Sequence, residues 1–147
     1  MSFQPIVPMG GLAGLRLVDR TYERQFAIFS RDPELERNVA AFRARSAALT
    51  DAASFVRDTE VLRVALGAYG LDDELPKRAF IRKVLEEGTL DPRSFANRLV
   101  DPAWRKLAGA LGFGDLGPRL TTEAARERMI EAYRARQFER AVGESDV

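Results

Sequence analysis

The sequence predicts an all-α fold, and three observations carry the prediction. From Leu15 onward, apolar residues recur at spacings of three and four, the period of one helix face. Successive short segments share one punctuation, with Asp and Pro at the start and Gly just past the end. No segment alternates apolar and polar residues with β-branched enrichment, so no sheet is expected.

Residues 1–14 are rich in Pro and Gly yet apolar (Phe3, Ile6, Val7, Met9, Leu12) and read as a flexible apolar arm. Docking of that arm on this domain or on a partner is the alternative, since an apolar tail makes a poor solvated linker. Residues 15–147 are expected to form a single all-helical domain, opening with a helical hairpin over roughly 15–49. Its first stripe is Leu15, Val18, Tyr22, Phe26 and Phe29; Asp32-Pro33 restarts the helix, and Leu35, Val39, Phe42, Ser46 and Leu49 continue it.

Short capped helices come next. Thr50 or Asp51 opens one carrying Phe55 and Val56. Asp58 opens the next, with Val61, Leu62, Ala65, Leu66 and Tyr69 inward and Gly70 at its end. Pro76 is placed in the first turn of a helix burying Phe80, Ile81, Val84 and Leu85, stopped by Gly88. Asp91-Pro92 opens a helix with Phe95 and Leu99; Asp101-Pro102 opens one with Trp104, Leu107 and Leu111, stopped by Gly112. A last helix runs from near Thr121 or Thr122 to about Val142. Its apolar positions (Met129, Ile130, Tyr133, Phe138, Val142) drift around the axis, as in a helix that touches two partners or lacks part of its packing.

A weak internal repeat, a helix–Gly-turn–helix unit, runs through the middle of the chain. Residues 62–73 (LRVALGAYGLDD) align with residues 104–115 (WRKLAGALGFGD), pairing Arg63/Arg105, Gly67/Gly109, Gly70/Gly112 and Asp73/Asp115, with Pro76/Pro118 beyond. Two copies are too few for a solenoid.

Composition bounds the chemistry. The chain has 147 residues, 46% hydrophobic and 31% charged, the profile of a soluble globular domain. It contains no His and no Cys. That excludes Cys/His metal sites, disulfides, and Ser-His-Asp or Cys-His nucleophilic systems, and it removes the usual proton-transfer side chain near neutral pH. The net charge is +1, so no bulk field favours nucleic acid or anionic lipid. Twenty of the 23 basic residues are Arg, a bias that fits a GC-rich genome and also suits partner interfaces. No apolar run is long enough to span a bilayer, and Pro and Gly interrupt the N-terminus where a secretory signal would need an unbroken stretch.

Each motif reads first as structure. Residues 112–117 (GFGDLG) fit the string G-x-G-x-x-G, but an amphipathic helix precedes them and Pro118 comes directly after, which describes a helix end and turn and not a pyrophosphate loop. Asp72, Asp73 and Glu74 lack the alternating spacing of a Ca²⁺ loop, and Asp73 is placed to support the start of the next helix. Glu86, Glu87 and Asp91 read as solvated surface near a helix end. Arg119, Arg126, Arg128, Arg134, Arg136 and Arg140 are interspersed with Glu123, Glu127, Glu131 and Glu139 at spacings that allow pairs along one helix. Trp104 reads as core.

The phrases LRVALGAYGL (62–71), AFIRKVLEEGTLDPRSFANRL (79–99) and LGFGD (111–115) resemble the domain-of-unknown-function family 1217 of alphaproteobacteria, as do GLAGLRLVDRT (11–21) and YRARQFERAVGESD (133–146). The resemblance covers about nine-tenths of the chain. It supplies no catalytic residues; it implies an association with flagellar gene clusters. It also implies a further helix beyond the VGESD-like phrase, where this chain stops at Val147, so a short member and a truncated one both fit.

The functional expectation is a non-enzymatic helical interaction protein, an accessory, structural or chaperone-like factor of flagellar assembly. No catalytic, cofactor-binding or metal-ligating residue is assigned, and no cofactor. The expected partner is a protein, a flagellar component among the candidates, with no nucleic acid and no transmembrane segment; homo-oligomerisation is left open. Cytoplasmic residence is expected, with export to the flagellum without a cleavable signal as the alternative. A different class, a small-ligand binder or enzyme using Arg and carboxylate groups, would need a pocket where such groups converge.

Overall fold

The computed structural model describes residues 32–145, which form seven α-helices and no strand. The arm at 1–14 and the first helix of the expected hairpin lie outside the described residues. Helix α1 (Pro33–Arg45) starts as expected: the Asp32 carboxylate accepts from the N–H groups of Glu34 (3.0 Å) and Leu35 (3.1 Å), and Pro33 fills the first turn. After a 3₁₀ turn at Ser46–Ala48 come α2 (Ala52–Arg57), capped by Asp51, and α3 (Thr59–Ala68), capped by Asp58. A 3₁₀ turn at Asp72–Glu74 leads to α4 (Arg78–Glu87), then α5 (Phe95–Arg98), α6 (Pro102–Leu111) and the long α7 (Glu123–Ser145).

The architecture is organised around α3. From Val61 to Ala68 only Arg63 reaches solvent, so this helix must be covered on nearly every side. α1 and α7 cover two sides, and α2 covers its start. α4 packs on α2, α5 and α6, extending one continuous core that joins Phe42, Phe55, Leu62, Leu66, Ile81, Leu107 and Leu111. Trp104 is core, edge-on to Phe80 at 5.1 Å between ring centroids, and Phe80 meets Phe95 at 5.0 Å. The drifting stripe of α7 is accounted for: Met129, Ile130 and Tyr133 serve the same core while the helix touches both α1 and α3.

Two helix starts differ from the sequence expectation. Asp91-Pro92 opens no helix; the Asp91 carboxylate accepts from the Arg93 N–H at 2.8 Å and its carbonyl from the Ser94 N–H at 2.9 Å. These local bonds hold the chain in a turn, and the helix waits until Phe95. Pro76 sits before α4 and not inside its first turn, because the Lys77 N–H closes a turn on the Glu74 carbonyl at 2.9 Å.

A duplicated unit is not confirmed. Gly70 and Gly112 both take positive φ, at 73° and 75°, so the helix–Gly turn is alike in the two segments. Beyond the turn the segments diverge, into a 10-residue helix after the first and a 23-residue helix after the second.

Candidate functional site

Each glycine of the 112–117 string has a structural cause. Gly112 ends α6 in the left-handed region, at φ 75° and ψ 5°, and its carbonyl accepts from the N–H of Asp115 and Gly117. Gly117 has φ 111°, a conformation that side chains rarely adopt. Gly114 lies against Gly88: a Cβ on it would fall 2.4 Å from the Gly88 nitrogen and 2.5 Å from the Glu86 carbonyl oxygen. Asp115 completes the junction, accepting from the Thr89 N–H at 2.6 Å and the Thr89 hydroxyl at 2.8 Å. The string is a helix end welded to a second loop, with no strand before it and no phosphate cradle.

The carboxylates noted in the sequence are likewise placed. Glu86 pairs with Arg82 at 2.9 Å, Glu87 accepts from the Phe95 N–H at 2.7 Å, and Asp91 holds its own turn. They do not converge. Asp73 does not cap α4; its carboxylate meets Arg140 at 3.2 Å, Asp72 takes Gln137 and Arg140, and Glu74 takes Lys77 at 2.7 Å. Among the described residues no cluster of three or more His, Cys, Asp or Glu could hold a metal ion. Two of the charged residues of α7 reach α1: Glu127 receives a two-pronged Arg43 at 2.8 Å, and Arg134 meets Glu36 at 3.0 Å. The Arg43 side chain keeps the Glu127 carboxyl below the usual carboxylate range, and Arg45 does the same for Asp58.

Two concave surfaces among the described residues bear most on function. The first is a polar cleft of about 450 Å³ between α1, α3 and α7, lined by Glu34, Asn38, Arg63, Asp72, Tyr133 and Arg140 among others. At its base the buried Asn38 amide donates to the Tyr133 hydroxyl at 3.1 Å, and burial pushes the Tyr133 phenol up. The charges around it are mutually engaged, Arg63 with Glu34 at 2.8 Å and Arg140 with Asp72 at 3.3 Å.

The second is a half-open groove of about 470 Å³ between the end of α3, α6 and the start of α7. Its floor is Tyr69, Ala110, Leu120, Ala125, Met129 and Ala132, and its rim carries Thr122, Arg119 and Arg128. Burial against this floor pushes the Tyr69 phenol up. Both charged lining residues are cations. Arg119 donates to the Gly109 carbonyl at 3.2 Å, and among the described residues neither Arg119 nor Arg128 has a carboxylate within ion-pair distance. Sequence reasoning missed this groove because its floor comes from three separated segments; the visible traces were Met129 in a drifting stripe and the run of Arg residues.

A family model described as a protein of unknown function, DUF1217, matches residues 68–147. No curated protein matches the chain. The crystal structure of a structural-genomics target from Agrobacterium tumefaciens matches with a TM-score of 0.75 and 34% sequence identity over 90% of this chain. This chain spans 58% of the length of that one.

Proposed function

The chain belongs to the DUF1217 family, and from that premise we propose that it acts as a helical protein-interaction factor, with accessory, structural or chaperone-like work in flagellar assembly and no catalysis of its own. The groove between α3, α6 and α7 is the observation that carries the interaction reading: half-buried Tyr69, Ala110, Ala125 and Ala132 line it above the buried Leu120 and Met129, beside two arginines that have no carboxylate partner among the described residues. The flagellar part rests on the gene neighbourhoods that family resemblance implies. No helix among the described residues is long and apolar enough to cross a membrane, which suits a factor working in the cytoplasm or exported without a cleavable signal. Deletion of the gene in the native host, scored by swimming and by filaments seen in the electron microscope, tests the flagellar claim. Reduced swimming restored by the intact gene is expected; unchanged motility and filaments would sink it.

A second reading takes its support from the polar cleft, where Glu34, Arg63, Asp72, Asp73 and Arg140 converge above Asn38 and Tyr133. A small molecule bearing both charges would have to displace ion pairs already formed there, which disfavours this reading. A metabolite panel screened by thermal shift decides it: a ligand whose stabilisation is lost in Tyr133→Phe would put the enzyme or ligand-binder class ahead.

A further inference from the structure

We propose that the polar cleft between α1, α3 and α7 is a binding site for a neutral, hydroxyl-rich small molecule of the sugar class, held by the hydrogen-bonding groups at its base. This goes beyond the interaction reading and gives the cleft a ligand that leaves its ion pairs intact. Asn38 and Tyr133 line the cleft although they are only 4% and 5% exposed. One bond joins them, from the Asn38 amide to the Tyr133 hydroxyl at 3.1 Å. A carboxamide offers a carbonyl and two N–H groups, and a phenol both donates and accepts. After that bond the Asn38 carbonyl and the Tyr133 O–H have no partner among the described residues. Among those residues, Ser46 and Ser94 hold the oxygens that are sealed away without a partner; the Asn38 carbonyl is not one of them and opens to the cleft. Gln137, one turn further along α7, repeats the arrangement: its amide donates to Asp72 and its carbonyl is left over.

The groups left over select the ligand. A carboxylate only accepts and an ammonium only donates, so the first leaves the two carbonyls uncompleted and the second leaves the Tyr133 O–H. A hydroxyl does both, and a run of neighbouring hydroxyls completes all three. The walls agree with a neutral occupant: Arg63 is spent on Glu34 at 2.8 Å and Arg140 on Asp72 at 3.3 Å, and a sugar can bond their outer oxygens and N–H groups without separating them. Leu75 and Pro76 add apolar carbon to the lining, against which the C–H groups of a sugar ring can lie. The base is preorganised. Gly67 lets the Tyr133 ring settle against α3, where a Cβ would fall 2.6 Å from Cδ1, and the ring and Asn38 are then held by burial. A cleft of about 450 Å³ is in the size range of small-molecule sites.

The experiment is a titration of the full chain with glucose, galactose, maltose and trehalose, and with glucosamine and glucuronate as charged counterparts of glucose. Binding is followed by saturation-transfer NMR on the sugar and by amide shifts on the isotope-labelled protein. At least one neutral sugar is expected to bind and to shift the amides of Asn38, Tyr133 and Gln137, with an affinity that does not change with salt. Tyr133→Phe and Gln137→Met should each weaken it about three- to tenfold, the worth of one hydrogen bond. Arg105→Gln, an exposed change outside the cleft lining, should leave it unchanged. Circular dichroism and the unfolding midpoint establish that the variants are folded, and Gln137→Met, at a less buried position, carries the test if Tyr133→Phe does not fold. Shifts confined to other surfaces, or equal affinity in both cleft variants, would overturn the proposal. So would binding of glucosamine or glucuronate in preference to glucose, an outcome that leaves the small-ligand reading standing with a charged ligand. Silence from every probe overturns it as well, and the motility test of the interaction reading succeeds or fails independently.

Discussion

Gly67→Ala sets helix propensity against packing, and the structure decides which wins. Gly67 is inside α3, where exchanging Gly for Ala ordinarily gains roughly 0.5–1 kcal/mol. A Cβ at this position falls 2.6 Å from Tyr133 Cδ1, 2.8 Å from Cε1 and 3.1 Å from Asp72 Oδ2. Optimal carbon contacts are about 3.5–4.0 Å, so the ring would have to retreat by about 1 Å. It has nowhere to go: Tyr133 is 5% exposed and its hydroxyl is tied to Asn38. Overpacking of this kind costs about 1–3 kcal/mol, leaving a net loss of about 1 kcal/mol. At Gly109, its partner in the sequence repeat, a Cβ would have nothing within 4 Å, so Gly109→Ala keeps the propensity gain of roughly 0.5–1 kcal/mol. Urea and thermal unfolding followed by far-ultraviolet circular dichroism measure both. With about 2–4 °C per kcal/mol for a chain of this size, the two variants should fall on opposite sides of the wild type. A Gly67→Ala protein as stable as the wild type or more so would refute the reasoning.

Asp101→Ala removes the carboxylate that accepts from the Ala103 N–H at 2.9 Å at the start of α6, and should cost about 1 kcal/mol in urea unfolding without changing the slope. Asp58 and Glu127 are held below their ordinary values of 3.8 and 4.5 by Arg45 and Arg43, so the folded state binds fewer protons at them than the unfolded state. Their stabilisation is present above those ordinary values and is lost as pH falls through the lower folded ones; unfolding midpoints should drop in acid from about pH 4.5 downward, with a shallower drop in Asp58→Asn.

Much of the fold was legible because α1, α3 and α6 carry strong local signals. Asp32, Asp58 and Asp101 bond the first-turn N–H groups as their position in sequence implies, and Gly112 ends α6 where a left-handed residue was needed. Local signals misled at Asp91 and Pro76, where a carboxylate or a carbonyl satisfied the backbone in a turn before a helix could begin. The Arg and Glu residues of α7 were legible as a charged surface, but their partners were not: Glu127 lies 84 positions from Arg43, and only the tertiary fold brings them together. The groove was illegible for the same reason. Tyr69, Ala110 and Met129 become one surface only when α3, α6 and α7 are packed, and no period within any one helix marks them as neighbours.

The meeting of Gly88 with Gly114 has a consequence for how the molecule breathes. Backbone touches backbone there, and Asp115 holds Thr89 by two bonds, so neither loop can lift away while the other stays seated. The amide hydrogens of Thr89 and Gly117 should therefore exchange with solvent through one shared opening and with similar protection, far slower than their loop positions would suggest. The ends of α4 and α6 form a single cooperative unit, stapled without a disulfide in a chain that has no cysteine to make one.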